Sequence, residues 1–443
     1  MLEQLKDVVA SQMQIWGVPG VSIGLLKNGE TETASYGVAS IATNQQVTPE
    51  TLFQIGSISK VFTTTLVMTF VDDGTLDLDT PIVTWLPDLP LTDGDARESI
   101  TLRHLVTHMG GFYGDRFDDQ GIGDDALAKA VAAFYDLPQQ TRPGELWTYC
   151  NAGFDLAGRV MEVVSGKRFE DLMRERVFNP LGLQSTTYFA AEAIRHPVSV
   201  GHDGDPGELR ISDPWPIPRR SNPAGGISST APELLRFAQM HLNDGELDGV
   251  RVISAESARA MRAKEADAGP FQTWGLGWER VDFGSEVGVR HGGATNGFTA
   301  GLLVLPERKV ALAILTNHDM GGAAHSAITQ AAVRRWFGLE RMCAPVVTIP
   351  SDQLRVRNGT YTHRLGDLIL SANGGSFHVD TVSRNPFDHS EEPGKSFTLT
   401  PISEDVFVAT GGGRDGSFAD FIRNPDGTIR FLRFGGRLAY PKG

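Results

Sequence analysis

Ser57-Ile58-Ser59-Lys60, followed by Val61-Phe62-Thr63-Thr64-Thr65-Leu66-Val67-Met68-Thr69-Phe70, puts a serine three residues before a lysine at the head of a run that reads as a helix. One helical turn brings residues i and i+3 onto the same face, so the lysine amine lies beside the serine hydroxyl. A free hydroxyl is a poor nucleophile until a neighbouring base takes its proton. Lysine serves as that base only where burial or a nearby cation lowers its pKa. Taken alone, Ser-x-x-Lys equally describes a surface serine and a solvated lysine, and two further motifs decide between these readings.

The second motif is Tyr149-Cys150-Asn151, inside Arg142-Pro143-Gly144-Glu145-Leu146-Trp147-Thr148-Tyr149-Cys150-Asn151-Ala152-Gly153-Phe154. Pro-Gly marks a turn. Leu156, Val160, Val163 and Val164 predict a helix that Asn151 can cap. Tyr149 and Asn151 then sit on its entry loop, where polar groups can face a cleft. A phenol relays protons if a cation lowers its pKa, and the asparagine amide can donate to a substrate carbonyl.

The third motif is His291-Gly292-Gly293-Ala294, between the strand-like runs Val287-Gly288-Val289-Arg290 and Gly301-Leu302-Leu303-Val304-Leu305. Glycines let a strand edge approach a ligand closely, and backbone N–H groups there can serve an oxyanion. A histidine at this place can orient the tyrosine, assist proton transfer or contact substrate.

In this order the three motifs resemble those of the serine β-lactamase and penicillin-binding-protein superfamily: Ser-x-x-Lys, Tyr-x-Asn, and a Lys/His-x-Gly strand. Leu102-Arg103-His104-Leu105-Val106-Thr107-His108-Met109-Gly110-Gly111, Asn179-Pro180-Leu181-Gly182-Leu183 and Pro223-Ala224-Gly225-Gly226-Ile227-Ser228-Ser229-Thr230 are similar to further segments of that family, so the resemblance spans roughly residues 5 to 340. It implies Ser57 as the acylated nucleophile, and Lys60 as its base or as the partner that holds Tyr149 as phenolate. It implies Tyr149 as the proton shuttle, Asn151, His291 and Gly293 at the substrate, and the backbone N–H groups of Ser57 and Ala294 as the oxyanion hole. His291 departs from the lysine that pairs with a substrate carboxylate in β-lactamases and most transpeptidases. A largely neutral histidine weakens that anchor. The His-x-Gly form is similar to the D-aminopeptidase, D-amino-acid amidase and family VIII carboxylesterase branches.

The remaining composition fits an enzyme of this kind. The 443 residues suffice for one large and one smaller domain, with 40% hydrophobic residues for the cores. A net charge of −14 disfavours nucleic acid and anionic membranes as partners. No apolar run reaches about 18 residues, so no membrane span is expected. The start, Met1-Leu2-Glu3-Gln4-Leu5-Lys6-Asp7-Val8-Val9, reads as an amphipathic helix without the features of a signal peptide. The expected location is cytoplasmic, unless a leader has been removed. Two cysteines predict no disulfide framework, and Cys150 reads as a small apolar core residue. No spacing such as His-Glu-x-x-His appears, so neither metal nor cofactor is expected. Pro393-Gly394-Lys395-Ser396 lacks the earlier glycine of a phosphate loop, because His389 stands there. The partner expected is a small-molecule substrate, and a homo-oligomer is compatible with the sequence.

Val21-Ser22-Ile23-Gly24-Leu25-Leu26 and Asn28-Gly29 predict a first hairpin in one sheet with the strands around His291. Helices are expected to dominate from Ser57 to about Glu175, with a loop near the cleft over 201–226 and further helices at Pro232–Leu242 and Ser254–Lys264. Closing strands follow, then a buried strand Val310–Leu315 and a last helix near Ala323–Phe337. The fold class is therefore α+β over residues 1–343: an antiparallel sheet flanked by helices, plus an all-helical part. The composition shifts near Cys343-Ala344-Pro345. Short runs after it (359–361, 368–370, 377–379, 397–399, 406–408, 418–422 and 429–432) predict roughly eight strands, a small lipocalin-like antiparallel barrel over 344–443. Such a domain can cover the site or serve assembly. Asp115, Asp118 and Asp119 are candidates for a substrate amine by loop position, and Phe112, Tyr113 and Trp147 for acyl chains. The expected activity is cleavage of short peptides or amides. A small-ester carboxylesterase is the alternative, and a non-catalytic protein with a retained fold ranks below both.

Overall fold

The computed structural model describes residues 1–341, 344–385 and 390–442. The expected domain junction falls at Cys343, outside the described residues, as does His389 of the discarded phosphate-loop reading.

Asn28 and Gly29 both adopt positive φ, the backbone that a two-residue Asn-Gly hairpin demands. They join β1 (Gly20–Lys27) to β2 (Glu30–Gly37). The other strands of this sheet are β3 (Ala266–Gly269), β4 (Gln272–Trp274), β5 (Glu279–Asp282), β6 (Val287–Thr295), β7 (Phe298–Leu305) and β8 (Val310–Thr316). Their order is β2-β1-β8-β7-β6-β5-β4-β3, antiparallel throughout. β8 is buried at every position, so its continuous apolar run reads as a central strand covered on both faces. One face carries α1 (Lys6–Trp16) and the last helix of this part, Gly321–Phe337. The other carries the helical part and Ala231–Leu242, whose Leu234, Leu235 and Phe237 join the main core.

The helical part holds two long helices, α2 (Ser59–Asp72) and α3 (Asn151–Ser165), with short turns and loops between them. α2 is buried from Ser59 to Phe70. Its threonines tolerate this because their hydroxyls return to carbonyls: Thr64 to Lys60 (2.9 Å), Thr65 to Val61 (2.9 Å) and Thr63 across to Pro223 (2.7 Å).

Residues 359–441 form a closed antiparallel barrel of eight strands: β9 (Gly359–His363), β10 (Gly366–Asn373), β11 (Ser376–Arg384), β12 (Phe397–Pro401), β13 (Val406–Thr410), β14 (Phe418–Arg423), β15 (Ile429–Phe434) and β16 (Arg437–Pro441). The ring runs β10-β9-β16-β15-β14-β13-β12-β11 and closes by β11 pairing with β10. The three-residue strand Glu391–Pro393 adds to β11 outside the ring. Inward side chains such as Tyr361, Phe377, Phe407 and Phe421 give the barrel its own core. Alternating burial along β10 to β14 is the period-2 pattern of strands with one face inside. β16 escaped the sequence reading because Arg437-Leu438-Ala439-Tyr440-Pro441 opens on an arginine and closes on a proline, which leaves only Leu438 and Ala439 buried.

Candidate active site

Ser57 lies on the single helical turn Gly56–Ile58 that leads into α2, and Lys60 follows on that helix's first turn. Lys60 Nζ is 3.0 Å from Ser57 Oγ and donates to the Ala224 carbonyl at 2.6 Å. Lys60 is fully buried, and burial lowers its pKa to about 7 against the opposing field of Asp155. The amine is thus half-deprotonated near neutrality, the state a base beside a serine requires. Ser59 fixes the turn: its hydroxyl donates to Gly56 O (2.7 Å) and accepts the Ile227 N–H (3.1 Å).

Tyr149 reaches the same place from the loop before α3. Its N–H donates to the Gly436 carbonyl in the β15–β16 turn (2.8 Å), and its ring stacks on His108 (centroids 4.2 Å apart). His108, quoted above without a role, accepts the Cys150 N–H at Nδ1 (3.0 Å) and so holds the backbone beside Tyr149. Lys60 Nζ lies 5.0 Å from the centre of the Tyr149 ring. Burial pushes the phenol well above its ordinary pKa, with Ser57 opposing, so Tyr149 rests as neutral phenol in place of the phenolate considered above. Burial likewise pushes the Cys150 thiol up to about 12, as befits the core residue expected there.

Asn151 does not cap α3. Cys150 holds the N-cap position without a side-chain bond, and Asn151 is the first helical residue. Its side chain is employed elsewhere: Nδ2 donates to Asp115 Oδ1 at 2.8 Å. That bond fixes the amide, turning the carbonyl oxygen away from Asp115. Asp115 in turn receives both arms of Arg437, Nε to Oδ2 and Nη2 to Oδ1, each at 2.9 Å. Burial opposes its ionised form, but Arg437 and Asn151 hold its carboxyl below the usual carboxylate range. Asp115 is therefore at the site yet committed. Asp118 pairs with Arg116 (2.7 Å) and Arg220 (3.3 Å), and Asp119 accepts the Gly121 N–H. None of the three lines the cavity as a carboxylate for a substrate amine. Of the aromatic candidates, Phe112 is core, Tyr113 is buried against Asp115 (3.4 Å), and Trp147 lines the cavity.

Arg437 is the site residue that sequence reasoning missed. Its guanidinium carbon sits 4.7 Å from the centre of the Tyr149 ring, from the barrel side. The signal was there as a Gly435-Gly436-Arg437 turn, but nothing in sequence placed that turn against Tyr149.

β6 supplies the third side. Its residues 291–295 pair with β7 on one edge, whereas β5 reaches only to Arg290 on the other. The freed edge meets the Ser57 turn. A Cβ at Gly293 would collide with the Ile55 carbonyl, and one at Gly56 with the Ala294 N. These glycines let two backbones of the same chain touch, which sets the Ser57 and Ala294 backbones side by side. His291 is buried, and burial with Lys60 nearby lowers its pKa to about 4, so it is neutral. Its Nδ1 is 2.5 Å from the Gly292 carbonyl and must carry the hydrogen, which leaves Nε2 as a buried lone pair with no partner among the described residues. A cavity of about 1520 Å³ opens over these groups, with Ser57, Tyr149, Trp274, His291 and Ile217 in its wall and Arg437 at the barrel side. Ile217 and Ala224 come from the 201–226 stretch expected as a loop near the cleft; it lines the cavity, but Ala224 stands in the short helix Asn222–Gly225 rather than in loop. Among the described residues no cluster of three metal-ligating side chains occurs, and no helix is long and apolar enough to cross a membrane.

The Beta-lactamase family model matches residues 5–334. The chain belongs to the beta-lactamase family. A member 38% identical over 324 residues, covering 70% of this chain and 83% of its own, is penicillin-binding protein 4 of Amycolatopsis lactamdurans. Among solved structures, SurE with D-Leu superimposes with a TM-score of 0.76 at 26% identity, over 99% of both chains. The octameric penicillin-binding protein homologue of Pyrococcus abyssi gives 0.67 at 24% identity over the full length of both, a likeness of fold. The beta-lactamase family match ends before the barrel, whereas these two structures cover it.

Proposed function

We propose that the protein is a serine hydrolase that cleaves amide bonds of short peptides through an acyl-enzyme on Ser57. The observation that carries this reading is the buried Lys60 amine 3.0 Å from Ser57 Oγ, with its pKa lowered to about 7. In acylation, Ser57 Oγ attacks the substrate carbonyl carbon while its proton passes to neutral Lys60. The oxyanion is received by the backbone N–H groups of Ser57 and Ala294. An amine leaving group departs only when protonated, and in this reading the neutral Tyr149 phenol donates that proton and is recharged by the Lys60 ammonium. Water then attacks the acyl-enzyme by the reverse proton path. Asn151, with its amide fixed by Asp115, binds the acyl side, and His291 with the Gly293 edge contacts the substrate. Being neutral, His291 offers no cation to a carboxylate, which argues against strong β-lactamase activity. SurE was solved with D-Leu, and that likeness supports D-residues as the substrate class.

Residues 344–443 act in this reading as a domain that walls the cavity and limits substrate size, because Val408, Phe418 and the 435–437 turn face it. An esterase is the second reading, favoured by the apolar wall of Trp147, Trp274 and Ile217. Hydrolysis of a D-alanyl anilide, its L counterpart and a short-chain nitrophenyl ester, with Ser57→Ala as blank, separates the two. Faster turnover of the D-anilide than of the L form is expected. Ester turnover with both anilides silent would make it a carboxylesterase.

A further inference from the structure

Beyond the residues around the cavity, one buried ion pair lies behind Lys60. Asp155 stands one turn after Asn151 on α3, hence on the same face. It is 1% exposed, and its Oδ2 accepts Arg220 Nη2 at 2.5 Å. Its Oδ1 has no hydrogen-bond partner among the described residues. Arg220 is wholly buried, donates to the Arg116 carbonyl (2.6 Å), and lies over the Phe134 ring. It belongs to the turn Arg219–Ser221, which runs directly into Asn222–Gly225. That next segment carries the Pro223 carbonyl bound by Thr63 and the Ala224 carbonyl bound by Lys60.

A buried pair of this sort adds little stability over apolar side chains of the same volume, so its presence asks for another reason. Lys60 has no ion-pair partner within contact distance among the described residues. The groups whose charge reaches it are Asp155 on α3, Asp115 and His108 on loops, Cys150 before α3, Arg437 on the barrel and His291 on β6. Of these, Asp155 acts most strongly in favour of the ammonium. Asp115 acts in the same sense but less, and each carboxylate has its own arginine, Arg437 for Asp115 and Arg220 for Asp155. Burial raises Asp155 to about 6, so it is ionised at the Lys60 midpoint and takes up its proton only below it.

We propose that Asp155 is a positioning residue for Lys60: its buried carboxylate, held by Arg220, sets the balance between ammonium and amine at Nζ, and the same ion pair anchors the turn that leads into the segment whose Ala224 carbonyl receives Nζ. A lysine left in an apolar pocket without this anion would be too weak a base for a serine hydroxyl. The inference rests on Lys60 being the base for Ser57, and its test reads Lys60 directly.

In protein labelled with ¹³C at lysine Cε, the Lys60 signal, assigned by its loss in Lys60→Arg, is followed against pH. The wild-type midpoint is expected near about 7. Asp155→Asn keeps the shape and removes the charge, and the midpoint should fall by about one pH unit or more. Asp155→Leu with Arg220→Met replaces the pair by apolar groups and should give the same fall should the single variant not fold. An unmoved midpoint in either variant that still melts cooperatively overturns the proposal. Phosphonylation of Ser57 by a fluorophosphonate, measured over the same pH range, should show the same displacement of its acidic limb. A Lys60 midpoint that moves while Ser57 is never labelled upholds the role of Asp155 and sinks the proposed function instead.

Discussion

The sheet-and-helix part and the barrel reach the same cavity by different means. In the first, the side chains proposed for the chemistry at Ser57 come from short motifs: Ser57 and Lys60 share a helical turn, Tyr149 and Asn151 bracket a helix start, and His291 rides a strand edge. In the second, an eight-stranded barrel delivers one glycine carbonyl and one arginine to the Tyr149 side of the site. Local spacing therefore reports chemistry where neighbouring residues act together. It is silent where a distant turn completes a site by docking.

Four substitutions and one titration break or sharpen that contrast. The largest effect belongs to the motif side: Ser57→Ala should lower kcat/KM by about 10⁶-fold, as loss of a nucleophile does. Near-wild-type hydrolysis in that variant would move the nucleophile elsewhere. Tyr149→Phe should cost about 10²–10⁴-fold in kcat on anilides, the span of one lost proton relay, and less on esters with good leaving groups. Equal losses on both substrates would assign Tyr149 to binding.

On the barrel side, Arg437→Met strands a buried carboxylate at Asp115 and should destabilise the protein by about 3–5 kcal/mol, read from denaturant melts. With the Asp115 anchor disturbed, Asn151 loses its fixed amide, so kcat/KM should fall as well. A variant as stable and active as wild type would make the turn a bystander. The pH profile is gentler. Because burial depresses Lys60, the amine is the minor form below about 7 and the major form above it. The kcat/KM should therefore rise with pH through about 7 and fall about tenfold per unit below it. The smallest effect is expected at Glu145, whose 2.5 Å pair with Arg430 bridges the two parts near the surface. Glu145→Ala should change stability by about 0–1 kcal/mol.

Most of the fold was legible in the sequence. The Asn-Gly hairpin, the run after Lys60, Pro232–Leu242 and Val310–Leu315 each carry the period or turn that the structure uses. Seven of the barrel strands showed through short runs of apolar and β-branched residues, and β16 did not because its pattern is broken at both ends. At the site, Ser57, Lys60, Tyr149, Asn151 and His291 converge as their motifs suggested, although Asn151 binds Asp115 and does not cap a helix. Gly293 was read as an approach for ligand, yet its missing Cβ first admits the Ile55 carbonyl. Arg437, the Ala224 carbonyl and the Arg220–Asp155 pair stayed hidden because each acts across more than sixty residues of chain. No spacing rule spans such separations. They are fixed only once tertiary packing is known.

The most direct test of the account is to treat the protein with a fluorophosphonate at pH 8 and map the adduct by tandem mass spectrometry, beside Ser57→Ala and Lys60→Met. The expected result is a single adduct on Ser57, absent from Ser57→Ala and slowed by orders of magnitude in Lys60→Met. An adduct on any other residue, or labelling of Ser57 at an unchanged rate without the Lys60 amine, would contradict a nucleophile activated by its buried lysine.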